Sequence, residues 1–252
     1  MATLVLEPLS TLLIYIWIIQ NRVSINHNSV MDKDTLQKKY FVQIILEWSS
    51  KYKRDFEWRK NRNPYRIFVA ELLLKRTTSK AATRVFHEFI TKYPDIFALA
   101  DADIDGLKLI IKPIGLYEQR SKGLVRAARC LVNTFKGEFP RSKDQLLSIP
   151  HVGEYTAGCI LSFGMGIPSP VVDSNVQRVL SRVFCSSVGD KPSIDSTIKL
   201  AQTLIPKGRH VDFNYALIDF GAVVCTYRGC YGDTCPLKDI CDIYFMLKNH
   251  NE

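Results

Sequence analysis

A tight turn between two apolar segments, within residues 146–182, constrains the fold of this chain more than any other feature of its sequence. Pro150 predicts the end of one helix, residues 151–153 predict the turn, and residues 154–163 predict a second helix. Two helices joined in this way form a helix-hairpin-helix. The turn and the start of the second helix would present unpaired backbone N–H groups and the positive end of a helix dipole, where a phosphate can bind. An ordinary corner between helices has the same composition, so the turn alone does not establish such a contact.

A single acidic residue, Asp173, follows the hairpin in the segment VVDSNVQRVLSR. It comes after an apolar pair and before an apolar run with helical spacing, so Asp173 or Ser174 is predicted to cap the helix that begins there. By composition alone, a capping role for Asp173 is favoured over a catalytic one.

The two segments IPHVGEYTAGCIL and VVDSNVQRVLSR, taken together, resemble the helix-hairpin-helix and aspartate signature of the DNA glycosylases of the endonuclease III superfamily. The resemblance extends over about residues 56–241, with several motifs in the same order. In that family the aspartate at the position of Asp173 is the catalytic carboxylate, so the resemblance implies that Asp173 is catalytic. The family usually has glycine where this chain has His151, which would be strained if the turn needs a positive φ.

A second acidic residue, Glu71, lies in the apolar segment IFVAELLLKRTT, which predicts a buried helix over residues 67–78. A buried carboxylate needs a partner or a chemical role. An (i, i+4) pair with Lys75 would supply the partner. The resemblance implies instead that Glu71 contacts the base or the attacking water. The residues that follow, KRT, are closer to the thymine-mismatch branch of the family than to its adenine branch, which has paired glutamines.

Position 155 determines which reaction the resemblance implies. The glycosylase/lyase members have a lysine there, which forms a Schiff base with the sugar, whereas this chain has Tyr155. A phenol cannot form an imine, so the resemblance implies a monofunctional glycosylase. Tyr155 could otherwise be a packing aromatic, or could stack on a flipped base.

The resemblance therefore implies an enzyme of base excision repair that hydrolyses the N-glycosidic bond of thymine or uracil opposite guanine in double-stranded DNA. One alternative is an adenine glycosylase acting opposite guanine or oxidised guanine, and another is a non-catalytic DNA-binding module. The net charge of +9 suits a polyanionic partner. The predicted catalytic residues are Asp173, Glu71 and Tyr155, and the predicted DNA contacts are Lys75, Arg76, His151, Val152, Gly153 and Thr156. The segment IKPIGLYEQRSKGL resembles the second hairpin-like turn of the family, with Arg120 and Lys122 available to phosphate.

Four of the seven cysteines are close together near the end of the sequence, at Cys225, Cys230, Cys235 and Cys241. A quartet of this kind without a signal peptide favours metal binding over disulfides. The resemblance implies a [4Fe-4S] cluster, although the family spacing is C-x6-C-x2-C-x5-C and this chain has C-x4-C-x4-C-x5-C. Four cysteines with similar spacing also bind zinc, which is the alternative.

No strand-like alternation of any length is present, so the predicted fold is all-α, with two lobes and DNA lying across the cleft between them. One lobe is predicted at about residues 56–166, and the other at residues 31–55 together with 167–252, including the iron-sulfur loop. Residues 1–30 are an apolar appendage, read either as an extra helix or as a consequence of start-site choice, with Met31 as the natural start. We expect a monomer without a membrane span, in the cytoplasm and associated with the nucleoid.

Overall fold

The computed structural model describes residues 32–189, 192–230 and 232–249, and within these ranges the chain is all-α, without a strand, as predicted. The predictions for residues 1–30 and for Met31 lie outside the described residues. Among the described helices, none combines the length and the apolar character needed to cross a membrane. The α-helices are α1 (Lys33–Tyr52), α2 (Glu57–Lys60), α3 (Pro64–Leu74), α4 (Ser79–Lys92), α5 (Ile96–Ala100), α6 (Ile104–Ile111), α7 (Tyr117–Phe135), α8 (Lys143–Leu147), α9 (Glu154–Cys159), α10 (Ser174–Val183), α11 (Cys185–Val188), α12 (Ile194–Leu204), α13 (His210–Val223) and α14 (Asp242–Asn249). Short 3₁₀ segments occupy Lys112–Ile114, Gly232–Thr234 and Lys238–Ile240, and α9 continues as a π-helical turn at Ile160–Gly164, called the π-turn below.

The bounds of α3 differ from the predicted 67–78 for two local reasons. The helix begins earlier because Pro64 occupies its first turn and the Asn63 side chain accepts a hydrogen bond from the Arg66 amide at 2.8 Å. It ends earlier because Lys75 leaves the helical conformation and Arg76 adopts a left-handed one, with φ of 54°. Periodicity predicted the helix, and cap chemistry decides its ends.

The chain divides into two compact units, one of which comprises residues 54–173 and 207–214. Helix α3 is buried along most of its length in this unit, with Ile67, Phe68 and Leu73 fully enclosed. It packs against α4 and against the π-turn, where an added Cβ on Gly164 would lie only 2.8 Å from the Cα of Pro64. Helix α3 is therefore the central element of this unit.

The other unit comprises the described residues as far as Lys53, residues 174–206, and those from Tyr215 onwards. Its aromatic core pairs Trp48 with Phe220, whose ring centroids are 5.1 Å apart. The buried Gln37 amide donates to the carbonyls of Val183 at 3.0 Å and Ile240 at 2.8 Å, which ties α1 to α10 and to the C-terminal segment. Chain segments far apart in sequence thus form one core.

Candidate active site

The centre of the candidate site is the carboxyl group of Glu71, which α3 places among apolar side chains with only 5% of the residue exposed. Two donors from α9 meet it. Tyr155 and Cys159 are four residues apart and so share one face of that helix. The Tyr155 hydroxyl and the Cys159 thiol each donate a hydrogen bond to the Glu71 carboxyl.

The environment of Glu71 makes it a titrating group at neutral pH. Burial raises its pKa from 4.5 to about 7, against the opposing effects of the Tyr155 and Cys159 hydrogen bonds and of the Arg59 guanidinium. The negative charge of Asp173 raises the pKa of Glu71 further. Burial also raises the pKa of Tyr155 well above its usual value, so the phenol is neutral and acts as a donor.

The alternative interpretation of Glu71, as the partner of Lys75, is not supported. Within the described residues no ion pair joins these two side chains; the Lys75 ammonium donates instead to the carbonyl of His151, at 2.7 Å. Glu71 is thus directed towards α9 and Asp173, while Lys75 is directed towards the hairpin.

Asp173 lies partly buried immediately before α10, where both the capping and the catalytic predictions placed it. The segment that precedes it is held closely against α9: an added Cβ on Gly158 would lie 2.4 Å from the carbonyl oxygen of Pro170. The buried Asn214 amide donates to the hydroxyl of Ser162 and to the carbonyl of Ser169, both at 2.9 Å. These contacts position Asp173 near enough to Glu71 for the two charges to interact.

The hairpin turn has the predicted strained residue. His151 has φ of 66°, in the left-handed region. A residue with a side chain is strained in this conformation, as expected from the sequence. Its imidazole packs against Gly123, where an added Cβ would lie 3.0 Å from Nε2. Burial and the nearby cations Lys75 and Arg126 lower the pKa of His151, so its ring is uncharged at neutral pH.

The predicted DNA contacts divide into exposed and buried residues. Lys75, Arg76, His151 and Gly153 are exposed. Val152 and Thr156 are buried, with 6% and 2% exposed, so their side chains cannot reach a ligand and only their backbone could do so. Gly153 precedes α9 without a side chain to cap it, which leaves the first-turn amides of α9 for a phosphate.

Arg120 has a different role from the phosphate contact suggested by its sequence context. It is buried, and its guanidinium donates to the carbonyls of Leu72, Leu73 and Lys75, the last at 2.8 Å. These are carbonyls at the C-terminal end of α3, which have no intrahelical partner. Arg120 therefore caps α3 from α7.

Three residues of the region were missed in the sequence. Cys159 reads as a core cysteine, and only its spacing of four from Tyr155 indicated a shared face. Arg59 lies in a segment rich in cations and aromatic residues, at residues 51–66, and its charge acts on Glu71. Leu116, before α7, has φ of 53° and is 48% exposed, beside a cavity of about 150 Å³ that Lys75 and His151 also line.

The four C-terminal cysteines are all free thiols. Arg182 Nη1 donates to the sulfur of Cys225 at 3.4 Å, and the Cys241 thiol donates to the Arg182 carbonyl at 3.5 Å. Burial, and then the charges of the other three cysteines, raise the pKa of Cys241 to about 12. In the part of the chain that the structure describes, no group of three or more His, Cys, Asp or Glu side chains is arranged to hold a metal ion.

The known proteins that this chain resembles agree with one another in kind, since they are DNA glycosylases. Residues 69–207 match the family described as HhH-GPD superfamily base excision DNA repair protein. The thymine-DNA glycosylase of Aeropyrum pernix is 36% identical over 79% of this chain and 92% of that protein. The thymine/uracil-DNA glycosylase of Methanothermobacter thermautotrophicus is 33% identical over 84% of this chain and 97% of that protein. An adenine DNA glycosylase of Buchnera aphidicola is 32% identical over 82% of this chain but only 59% of that protein.

The fold comparison agrees with the sequence comparison. The solved structure of a thermostable thymine-DNA glycosylase superposes with a TM-score of 0.82 at 33% identity, over 85% of this chain and 100% of that one. The resemblance inferred from the hairpin and Asp173 is thus confirmed over most of the chain. This protein belongs to the HhH-GPD superfamily of base excision DNA repair proteins.

Proposed function

We propose that this protein is a monofunctional DNA glycosylase that excises thymine or uracil mispaired with guanine. The observation that carries the proposal is the meeting of Glu71, Tyr155 and Asp173 at one buried site of a glycosylase fold. The likeness to thymine and thymine/uracil glycosylases over nearly their whole length supports the choice of base. Tyr155 in place of an amine supports hydrolysis without a Schiff base.

The reaction requires that the target base leave the duplex, at a cost of a few kcal/mol that is lowest for a mispaired base. Breaking the bond between sugar and base develops positive charge on the sugar. An ionised carboxylate beside that centre stabilises the charge, and Asp173 takes this role. Glu71 titrates near neutral pH, so it can donate a proton to the base or accept one from water. Tyr155 holds the Glu71 carboxyl.

The backbone of DNA is bound by the exposed part of the hairpin. The first-turn amides of α9 receive a phosphate, and Arg76 adds a positive charge nearby. Leu116 is an exposed apolar side chain in a left-handed turn, beside the cavity that Lys75 and His151 also line, and it would enter the base stack where the target base has left.

The proposal is tested with duplexes that carry one G·T, G·U, A·G or A·oxidised-guanine pair, scored for strand breaks before and after hot alkali. We expect breaks from G·T and G·U that need alkali. Release of adenine would instead establish the adenine glycosylase. Breaks without alkali would show that another amine supplies lyase chemistry, and DNA binding without release of any base would indicate a binding module.

We further propose that Cys225, Cys230, Cys235 and Cys241 hold a [4Fe-4S] cluster. The chemistry of these residues supports a cluster. Four free thiols are the number that it requires, and the other three cysteines lie near enough to Cys241 to affect its pKa. The cluster would fix the C-terminal loop, and no step of the hydrolysis passes through it.

Protein purified without oxygen should contain about four iron atoms per chain, with visible absorbance that Cys230→Ser abolishes. Cys130→Ser, which removes a free thiol from α7, is the matched control and should retain the iron. A content of one zinc per chain, without iron, would show that the cysteines bind zinc instead of the cluster. Full iron in Cys230→Ser would show that the second ligand lies elsewhere.

A further inference from the structure

We infer that Cys159 is a positioning residue for base excision: its thiol, held beside the Tyr155 hydroxyl, fixes the orientation of the Glu71 carboxyl. The inference rests on the proposed function. It gives a role to a buried thiol that takes no part in the mechanism above.

Helix α9 packs directly against α3, the helix that carries Glu71. Tyr155 and Cys159 lie one turn apart on the face that meets Glu71, and both hydrogen-bond with the carboxyl. One donor would leave the carboxyl free to rotate about its last torsion, which is soft. A second donor from the same rigid helix removes that freedom, and the lone pairs left over then have a defined direction.

The thiol of Cys159 is itself held in place. Cys159 has no exposed surface, and burial raises the pKa of its thiol well above the usual value, so the group stays protonated as a donor. Its neighbour Gly158 is pressed against the Pro170 carbonyl. The π-turn begins at the next residue, Ile160. The backbone around Cys159 therefore has little room to shift.

The neutral charge of the thiol suits the titration of Glu71. The ionisable groups that act on Glu71 are Tyr155 and Cys159 from α9, Asp173 ahead of α10, Arg59 from α2, and Lys75 at the end of its own helix. A cation at position 159 would hold Glu71 ionised. A neutral thiol orients the carboxyl and favours its ionised form only weakly, which keeps Glu71 near its working pKa.

The activity test compares Cys159→Ala with Cys159→Ser in single-turnover base release across pH. Loss of the donor that orients the carboxyl predicts a rate lower by about ten-fold for Cys159→Ala, and a slightly higher midpoint for the Glu71 limb of the pH profile. Cys159→Ser retains a donor and should stay within about three-fold of the parent protein. Cys185→Ala, a buried thiol of the other unit, controls for loss of a core side chain.

A second readout does not depend on activity. In infrared spectra, the S–H stretching band lost in Cys159→Ser should shift as pH passes through about 7, where Glu71 titrates, and the shift should vanish in Glu71→Gln. Parent-like rates and pH profile in Cys159→Ala, equal impairment of the Ala and Ser variants, or a band that ignores pH would each overturn the inference. Failure of the parent protein to release any base would overturn the proposed function, while the infrared titration would still test the contact.

Discussion

Asp173→Asn is expected to lower the rate of base release from G·T duplexes by about 10²- to 10³-fold, and to leave DNA affinity nearly unchanged. The reason is that asparagine keeps the shape of the side chain and removes the charge that stabilises the developing cation on the sugar. Single-turnover excision measures the first quantity, and fluorescence anisotropy with uncleaved duplex measures the second.

This substitution also separates the two interpretations of Asp173. Asparagine is as good an N-cap as aspartate, so a residue that only capped α10 could be replaced without consequence. Asp173→Ser, which also preserves the cap, should be as inactive as Asp173→Asn, and thermal denaturation should show both variants folded. Parent-like excision by either variant would assign Asp173 to capping alone.

Glu71→Gln is expected to make the protein more stable above neutral pH while lowering excision by about 100-fold or more. The folded-state pKa of Glu71 is about 7, above its ordinary value of 4.5, because the carboxyl is buried. Its contribution to stability is therefore fully present below pH 4.5 and is lost as pH rises through 7. Glutamine resembles the protonated acid and does not titrate.

The stability difference between Glu71→Gln and the parent protein should accordingly grow between pH 4.5 and 7 and level off at about 3 to 4 kcal/mol, because each unit of pKa shift corresponds to roughly 1.4 kcal/mol. Urea denaturation of both proteins at pH 5, 6, 7 and 8 measures it. Glu88→Gln, on the exposed face of α4, is the matched control and should show no such trend. A stability difference that does not change with pH would mean that ionisation of Glu71 does not destabilise the folded protein.

The sequence predicted the reaction better than it predicted the arrangement of the site. Local patterns were sufficient for the turn between two helices and for an all-α chain, because each depends on neighbouring residues, whereas the catalytic role of Asp173 came from the family resemblance and stays a prediction. The left-handed turn at His151 followed from the same local chemistry.

What the sequence could not show depends on contacts between distant segments. In the sequence, Arg120 cannot be distinguished from an exposed cation near a turn. Only the folded structure shows that it lies beside the end of α3. Thr156 resembles a hairpin contact until its burial is known. The donors around Glu71 come from a helix more than eighty residues away. Side-chain partners at such separations are decided by packing, which periodicity does not encode.

The cap that Arg120 provides to α3 affects how this part of the protein unfolds locally. The same end of α3 carries Lys75, which holds the hairpin through the His151 carbonyl. Two segments that we propose to face the nucleic acid thus share one anchorage, and local unfolding of either must disturb the other. In hydrogen exchange, the last turn of α3 and the hairpin should behave as one cooperative unit. An enzyme scanning long stretches of undamaged duplex would in this way present the same preorganised spacing to every phosphate it meets.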